Sequence, residues 1–144
     1  MLGHKMSYVG VGLRAVAVIV DTIMLFVIMY IIAIATGNTS SEGFNMEGPP
    51  AFLGFLVWFL YYVGAEATTG STLGKMLIGA RVVKTDGSPA GWGPALIRNL
   101  LRIVDGLFVY LVGAIIAMRS PTKQRLGDRV AGTVVVRRNS VPAT

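Results

Sequence analysis

Two long apolar runs dominate the pattern of hydrophobic and polar positions along the chain. Residues 9–35 and residues 51–69 can each cross a bilayer as a helix, because about 20 apolar residues with a rise of about 1.5 Å cover the hydrocarbon core. A cleavable signal peptide is disfavoured for the first run, because the run exceeds the usual apolar region of such peptides and contains Asp21. The pattern therefore predicts an antiparallel hairpin of two transmembrane helices.

The third apolar segment, residues 95–118, carries charge in its first half. As one spanning helix it would deliver the basic C-terminal residues to the outer side, against the positive-inside rule. We favour an interfacial helix over residues 95–105, followed by a re-entrant or broken segment around Gly106 and Gly113, with a third span as the alternative. The charged side chains of this segment share one helix face and are Arg98, Arg102 and Asp105.

The segments between the apolar runs differ in charge. Residues 36–50 contain no Lys or Arg, as expected of a loop on the outer side, whereas residues 70–93 contain three basic residues and are expected in the cytoplasm. Two β-branched runs, residues 78–85 and residues 133–136, are predicted to pair as short cytoplasmic strands, because an isolated strand leaves its backbone groups unpaired.

The last part of the chain predicts one more helix. Ser120-Pro121 is typical of an N-cap followed by proline at the first helical position, so we expect a short helix that opens there and ends near Gly132. Within it, Arg125 and Asp128 are three residues apart and can pair with each other. The fold class is an α-helical membrane protein: a two-helix transmembrane hairpin, a third interfacial, re-entrant or spanning helical segment, and short cytoplasmic β-strands.

Composition supports membrane insertion and narrows the chemistry. The 144 residues are 53% hydrophobic and 14% charged, with a mean hydropathy of +0.66, which is less charge than soluble domains carry. The net charge is +6, and the basic residues cluster beside the apolar segments, as do the residues that set the orientation of a membrane protein. Nucleic-acid binding is therefore disfavoured. Cysteine is absent, the single histidine is His4, and no nucleophile constellation occurs, so we expect no enzyme activity, no metal site and no cofactor.

Charged residues within the apolar runs are the candidates for function. An acid inside a spanning helix costs about 2.5–3.5 kcal/mol, so Asp21 should face a partner, a polar cavity or an ion path. Arg14 lies on the same helix face, and Glu66 lies in the same cytoplasmic half of the hairpin, so Asp21 and Glu66 can share one polar cluster. Such acids can exchange a proton for a cation such as sodium, or the arginines can neutralise them in a structural cluster.

The ordered motifs of the chain resemble those of a known family. They are Gly12-Leu13-Arg14 with Asp21, Gly70-Ser71-Thr72-Leu73-Gly74-Lys75, Arg98, Arg125-Leu126-Gly127-Asp128, and Ala131-Gly132-Thr133-Val134-Val135-Val136. This pattern resembles the RDD family of small integral membrane proteins, named for one arginine and two aspartates, over about residues 8–138. By that resemblance Arg14 and Asp21 match the first two signature residues. Asp128 best matches the second aspartate, Asp105 is a competitor, and Gly127 stands where the family often has histidine.

The resemblance implies transport of undefined ligands, with some members linked to sodium or proton exchange and others serving as accessory domains. We expect a single RDD-like membrane domain over residues 1–144, multi-pass in the plasma membrane with a cytoplasmic N-terminus. Cation/proton exchange would require a homo-oligomer, because two or three spans cannot surround a path. Lys75 is predicted to contact anionic lipid headgroups or a helix end. The alternative is a membrane scaffold or assembly factor that docks a partner through its cytoplasmic face.

Overall fold

The computed structural model describes residues 5–107 and 111–141, so His4 lies outside the described residues. Helices make up most of this part of the chain. The elements in chain order are α1 (Val11–Ala35), β1 (Thr39–Ser40), β2 (Gly43–Phe44), α2 (Pro49–Thr68), α3 (Leu73–Leu77), β3 (Ala80–Lys84), α4 (Trp92–Leu107), α5 (Leu111–Arg119), α6 (Leu126–Ala131) and β4 (Thr133–Arg137), followed by a 3-10 turn over Arg138–Ser140.

The helices α1 and α2 correspond to the two apolar runs, and both are long and apolar enough to cross a bilayer. Only 22% of the most apolar window of each helix is buried inside the protein, unlike the core helix of a soluble protein. α1 begins two residues later than predicted, because Val9 instead donates its backbone N–H to the Val135 carbonyl at 2.9 Å. α2 begins two residues earlier, at Pro49, because proline at the first helical position loses no hydrogen bond.

α1 and α2 contact each other with their chain directions opposed. The Tyr61 hydroxyl of α2 donates to Asp21 Oδ1 of α1 at 2.8 Å, whereas the earlier Gly54 of α2 lies against the later Met29 of α1. The connection between them contains β1 and β2, a short antiparallel pair that the sequence did not signal.

A small sheet is formed by β3 and β4, and residues that precede α1 join it. β3 pairs antiparallel with β4, placing Val82 opposite Val135, and Tyr8 bridges to Val136. β4 is therefore flanked on both edges, and its first four residues are all buried, as expected of a continuous apolar run in a central strand. The buried apolar residues around this sheet include Val9, Ala80, Val82, Ala90 and Val135.

α4 turns its polar residues inward. Arg98, Asn99 and Asp105 are buried, and the helix packs through this side against α2 and α6. Its opposite side leaves large apolar side chains exposed, which suits a helix lying against lipid. These exposed residues are Trp92, Leu96, Ile97, Leu100 and Val104.

The predicted break between Gly106 and Gly113 includes residues 108–110, which lie outside the described residues. After these residues, α5 has nine residues and is about 14 Å long, which by itself is too short to cross a hydrocarbon core of about 30 Å. Gly113 of α5 lies against Asp105 of α4, where an added Cβ would come within 2.6 Å of Asp105 Oδ2. The two helices therefore contact each other where Asp105 of α4 faces the small Gly113 of α5.

The prediction that the last helix opens at Ser120-Pro121 is wrong. The chain turns there, with Lys123 in the left-handed conformation at a φ of 54°, and α6 begins only after the turn. Tertiary hydrogen bonds hold this turn. Arg14 Nη1 donates to the Lys123 carbonyl at 2.6 Å, and Gln124 Nε2 donates to the Thr133 carbonyl at 2.7 Å. These bonds outweigh the local capping signal.

We expect Gly74→Ala to destabilise the protein by about 1–3 kcal/mol. Gly74 brings α3 so close to α1 that an added Cβ would collide with the Ala17 backbone carbonyl and come within 3.0 Å of the Asp21 carboxyl carbon. The detergent-solubilised variant should therefore have a lower thermal unfolding midpoint than the wild type. Gly64→Ala in α2 is the control, because an added Cβ there meets nothing within 4 Å. An unchanged midpoint for Gly74→Ala would contradict this close approach.

Candidate functional site

Glu66 is the centre of a group of buried charges at the end of α2. It is 1% exposed, and its carboxylate accepts hydrogen bonds from Lys75, from Arg98 Nε at 3.1 Å and from Asn99 Nδ2 at 3.1 Å. Arg102 Nη2 lies 3.7 Å from Glu66 Oε1. One acid of α2 therefore binds cations from both α3 and α4.

Asp128 is a second centre, in the first turn of α6. Arg14 Nη2 donates to Asp128 Oδ2 at 2.7 Å, and Arg98 Nη1 donates to Oδ1. The backbone N–H of Arg125 also donates to Oδ2, at 3.0 Å. Arg98 Nη1 makes a further bond to Thr133 Oγ1 at 2.9 Å. Arg98 of α4 thus bridges the acids of α2 and α6, and Arg14 connects α1 to the same Asp128.

We call these linked side chains the ionic cluster, which consists of Arg14, Glu66, Lys75, Arg98, Arg102 and Asp128. Four cations surround two carboxylates, so the cluster has an excess of positive charge. Its side chains are at most 11% exposed. Removing charges from water is costly, and here each carboxylate interacts with at least two cations, which offsets part of that cost.

Asp21 forms no salt bridge with the ionic cluster among the described residues, and its connection to Glu66 runs through Thr72 and Lys75 at α3. The short helix α3 contacts both acids separately: its start binds Asp21, whereas Lys75 binds Glu66. Arg14 and Asp21 are both buried on one face of α1, as their spacing predicted, yet they have different partners. The donors to Asp21 are the Tyr61 hydroxyl at 2.8 Å, the Thr72 hydroxyl at 2.6 Å and the Gly74 backbone N–H at 2.9 Å.

Tertiary partners occupy the side chains of two further residues for which the sequence suggested other contacts. Lys75, expected to contact anionic lipid headgroups or a helix end, is only 5% exposed and binds Glu66 in the last turn of α2. Arg125 and Asp128 do not form the side-chain pair that their spacing allowed, since Arg14 and Arg98 occupy the carboxylate. The partners of both acids come from distant parts of the sequence.

The remaining motif residues shape the backbone around these charges. Gly70 adopts a φ of 73°, and Thr72 caps α3 by accepting the Lys75 backbone N–H at 3.4 Å. Gly132 ends α6 with a φ of 65°, as the sequence predicted. Thr133 follows at once and accepts the hydrogen bond from Arg98.

Sequence reasoning missed three polar partners. Asn99 is fully buried and donates to Glu66, Tyr61 binds Asp21, and the Tyr62 ring lies 4.1 Å from the guanidinium carbon of Arg102. The adjacent tyrosines within an apolar run were a usable signal. A buried tyrosine requires a partner for its hydroxyl, and its ring face attracts cations.

Asp105 and Arg125 face a small cavity at the edge of the ionic cluster. Its volume of about 20 Å³ is enough for one water molecule. Within the described residues, Asp105 accepts no hydrogen bond and has no ion pair, although it is only 6% exposed. Arg125 Nε is also buried without a hydrogen-bond partner there. The described residues that line the cavity are Arg14, Arg98, Arg102, Asp105, Arg125, Gly127 and Asp128.

Burial and excess positive charge shift the ionisation of groups outside the two apolar helices. Burial lowers the pKa of Lys75 to about 7; the attraction of Glu66 opposes this shift, and the repulsion of Arg98 and Arg102 reinforces it. Burial raises the pKa of Asp105 above its ordinary value. Lys75 is therefore the cation of the cluster that releases a proton most readily.

Acid unfolding should reveal the ionic bonds of Asp128. Burial alone would raise the pKa of Asp128, but the guanidiniums of Arg98 and Arg14 hold it at about 2, below the ordinary 3.8. Because the folded pKa is the lower one, the stabilisation is complete above pH 3.8 and is lost as the pH falls towards 2. The loss should be about 2 kcal/mol, measured as the free energy of unfolding across this range. Asp128→Asn should lack this part of the acid sensitivity, and equal acid sensitivity in both proteins would contradict it.

In the part of the chain that the structure describes, no group of three or more His, Cys, Asp or Glu side chains is placed to hold a metal ion. A model of the RDD family matches residues 8–132, which include both centres of the ionic cluster. The chain belongs to the RDD family. The resemblance seen in the sequence is confirmed, and the two apolar helices agree with an RDD membrane protein.

The RDD chain is also similar to proline-rich antigens of mycobacteria. It is 33% identical over 85 residues to the proline-rich antigen homolog of Mycobacterium tuberculosis, in strains CDC 1551 / Oshkosh and ATCC 25618 / H37Rv. The matched region covers 58% of this chain and 34% of each relative. It is 30% identical over 81 residues to the proline-rich antigen of Mycobacterium leprae (strain TN), covering 56% and 31%. The RDD chain thus spans about a third of the curated relatives it matches. No solved structure matches it.

Proposed function

We propose that this RDD protein is a membrane scaffold that holds its small sheet against the cytoplasmic face of the bilayer and docks a partner protein there. The observation that carries the proposal is the sharing of Glu66 and Asp128 among buried cations. Removing one partner from such a cluster leaves a buried charge uncompensated. Neutralising Glu66 or Asp128 would therefore destabilise the packing of the helices. An acid held in this way stabilises helix packing and is a poor site for proton exchange.

The charge pattern supports the orientation that this function requires. The connection between α1 and α2, residues 36–48, has no Lys or Arg, whereas the ionic cluster and the basic residues after α2 lie at the other end of the two helices. By the positive-inside rule that end is cytoplasmic. The proposed topology is a transmembrane hairpin in the plasma membrane with a cytoplasmic N-terminus.

The docking surface would include both ends of the small sheet. Because β3 and β4 are antiparallel, Lys84 is exposed at one end and Arg137 and Arg138 at the other, and these basic residues suit an extended acidic segment of a partner. The mycobacterial relatives carry the matched region within a chain about three times its length, so in those proteins this region is joined to further segments. A domain that attaches other segments to the membrane fits the scaffold proposal.

A liposome assay separates scaffolding from transport. Purified protein in liposomes with an imposed pH gradient should give no collapse on addition of sodium, lithium or potassium beyond that of empty liposomes. A cation-specific collapse that Glu66→Gln or Asp128→Asn abolishes, in a variant that remains folded, would overturn the proposal.

Asp105 favours a second candidate function, cation/proton exchange by a homo-oligomer. It is a buried acid that forms no salt bridge among the described residues, and it faces a small cavity that Arg102 and Arg125 also line. A carboxyl with a raised pKa can release a proton when a cation binds. In the same liposome assay, exchange would appear as a cation-specific signal that Asp105→Asn removes and that the exposed control Asp86→Asn retains. A signal that Asp105→Asn leaves unchanged would exclude this site.

A further inference from the structure

A half-open groove lies on the lipid-facing side of α1. Its volume is about 180 Å³, and the described residues that line it are Ala15, Val18, Ile19 and Arg125. Three of the four are apolar residues one helical turn apart or less, and the fourth is a cation from the turn before α6. The groove therefore has an apolar wall and one charged end.

Arg125 forms no salt bridge among the described residues, although Asp105 and Asp128 lie close enough to attract it. Asp128, the nearest acid in sequence, is occupied by Arg14 and Arg98 and touches Arg125 only at its backbone N–H. The Arg125 side-chain Nε is buried and has no hydrogen-bond partner among the described residues. Burial lowers the pKa of Arg125 to about 10, with repulsion from Arg14 and Arg102 adding to the effect, so the side chain remains charged at neutral pH.

The depth of the groove matches the boundary between headgroups and acyl chains. α1 has 25 residues and is about 37 Å long, whereas the hydrocarbon core is about 30 Å thick, so roughly its first turn lies among the headgroups. Ala15 is the fifth residue of α1, and Val18 and Ile19 lie one turn deeper. Arg125 is thus placed at the level of lipid phosphates and the apolar wall at the level of the first methylenes.

We propose that this groove binds a phospholipid with an anionic headgroup, its phosphate on Arg125 and the upper part of one acyl chain on Ala15, Val18 and Ile19. A guanidinium can bind phosphate oxygens through two parallel hydrogen bonds, one of which would satisfy the Arg125 Nε that has no hydrogen-bond partner among the described residues. The excess positive charge of the ionic cluster and the net charge of +6 favour an anionic lipid over a zwitterionic one. This site is independent of whether the protein docks a partner.

The test is lipid retention by the full chain in neutral detergent, measured by native mass spectrometry after delipidation and titration with phosphatidylglycerol. We expect Arg125→Gln to weaken retention about tenfold, because it removes charge-assisted hydrogen bonds to the phosphate. Arg129→Gln is the matched control, since it removes the same charge from an exposed position on α6. Ala15→Leu fills the groove without changing any charge and should also weaken retention, which separates a lost lipid site from misfolding of the arginine variant.

Comparison ligands distinguish the source of the phosphate. Phosphatidylcholine should be retained more weakly than phosphatidylglycerol, and inorganic phosphate should not compete at equal concentration. Equal weakening by Arg125→Gln and Arg129→Gln would show unspecific attraction to the basic surface and overturn the proposal. Full retention by Ala15→Leu, or competition by inorganic phosphate, would likewise exclude a lipid groove.

Discussion

Glu66→Gln is expected to lower the free energy of unfolding by about 3–5 kcal/mol. The substitution preserves size and removes the charge that Lys75, Arg98 and Arg102 share. These cations would remain buried with less compensation, and their mutual repulsion would no longer be offset. Thermal or denaturant unfolding in detergent measures the change, and the variant should also yield less folded protein on purification.

Glu42→Gln provides the matched control, because Glu42 is exposed in the connection between α1 and α2. A surface substitution of this kind should change the free energy of unfolding by less than about 0.5 kcal/mol. A second control is Lys75→Met combined with Glu66→Gln, which removes one cation with the acid and should recover part of the loss. If Glu66→Gln unfolds like Glu42→Gln, the buried bonds to Glu66 contribute nothing to stability.

Asp128→Asn should also cost about 3–5 kcal/mol, through a different set of helices. It removes the carboxylate that connects Arg14 of α1 with Arg98 of α4, whereas the bond from Arg14 to the Lys123 carbonyl remains. Arg98 retains Glu66, so the larger part of the effect falls on the contact between α1 and α6. Proteolysis of the turn before α6 should become faster in this variant, since Arg14 helps to hold that turn.

Asp86→Asn makes the same chemical change in an exposed turn after β3 and should leave both stability and proteolysis close to the wild type. The comparison is informative because both residues are aspartates in the cytoplasmic part of the proposed topology. Equal behaviour of the two variants would mean that the bonds of Asp128 are not required for the packing of α6.

The sequence was sufficient for the parts of the fold that depend on local pattern. The lengths of the two apolar runs predicted α1 and α2 to within two residues, and Gly132 correctly marked the end of α6. The β-branched runs coincide with β3 and β4, whose pairing buries their valines. The position of each helix and strand follows from residues close in sequence, whereas the pairing of β3 with β4 joins distant positions.

The partners of the charged residues depend on tertiary packing and could not be found in this way. Arg14 and Asp128 are separated by 114 positions, and nothing local indicates that they meet. Local rules instead paired Arg125 with Asp128 and assigned Lys75 to lipid headgroups or a helix end, without naming Glu66. The observed partners arise because Gly74 admits α3 close to α1, and because α6 presents Asp128 to two distant arginines.

The most direct test of the account is a double-mutant cycle between Arg14→Gln and Asp128→Asn, measured as the free energy of unfolding in detergent. The central claim is that this pair joins α1 to α6 as part of the ionic cluster. We predict that each single variant is destabilised and that the double variant loses less than the sum, with a coupling of about 1–3 kcal/mol. Effects that add to within about 0.5 kcal/mol would contradict the claim, because independent residues behave in that way.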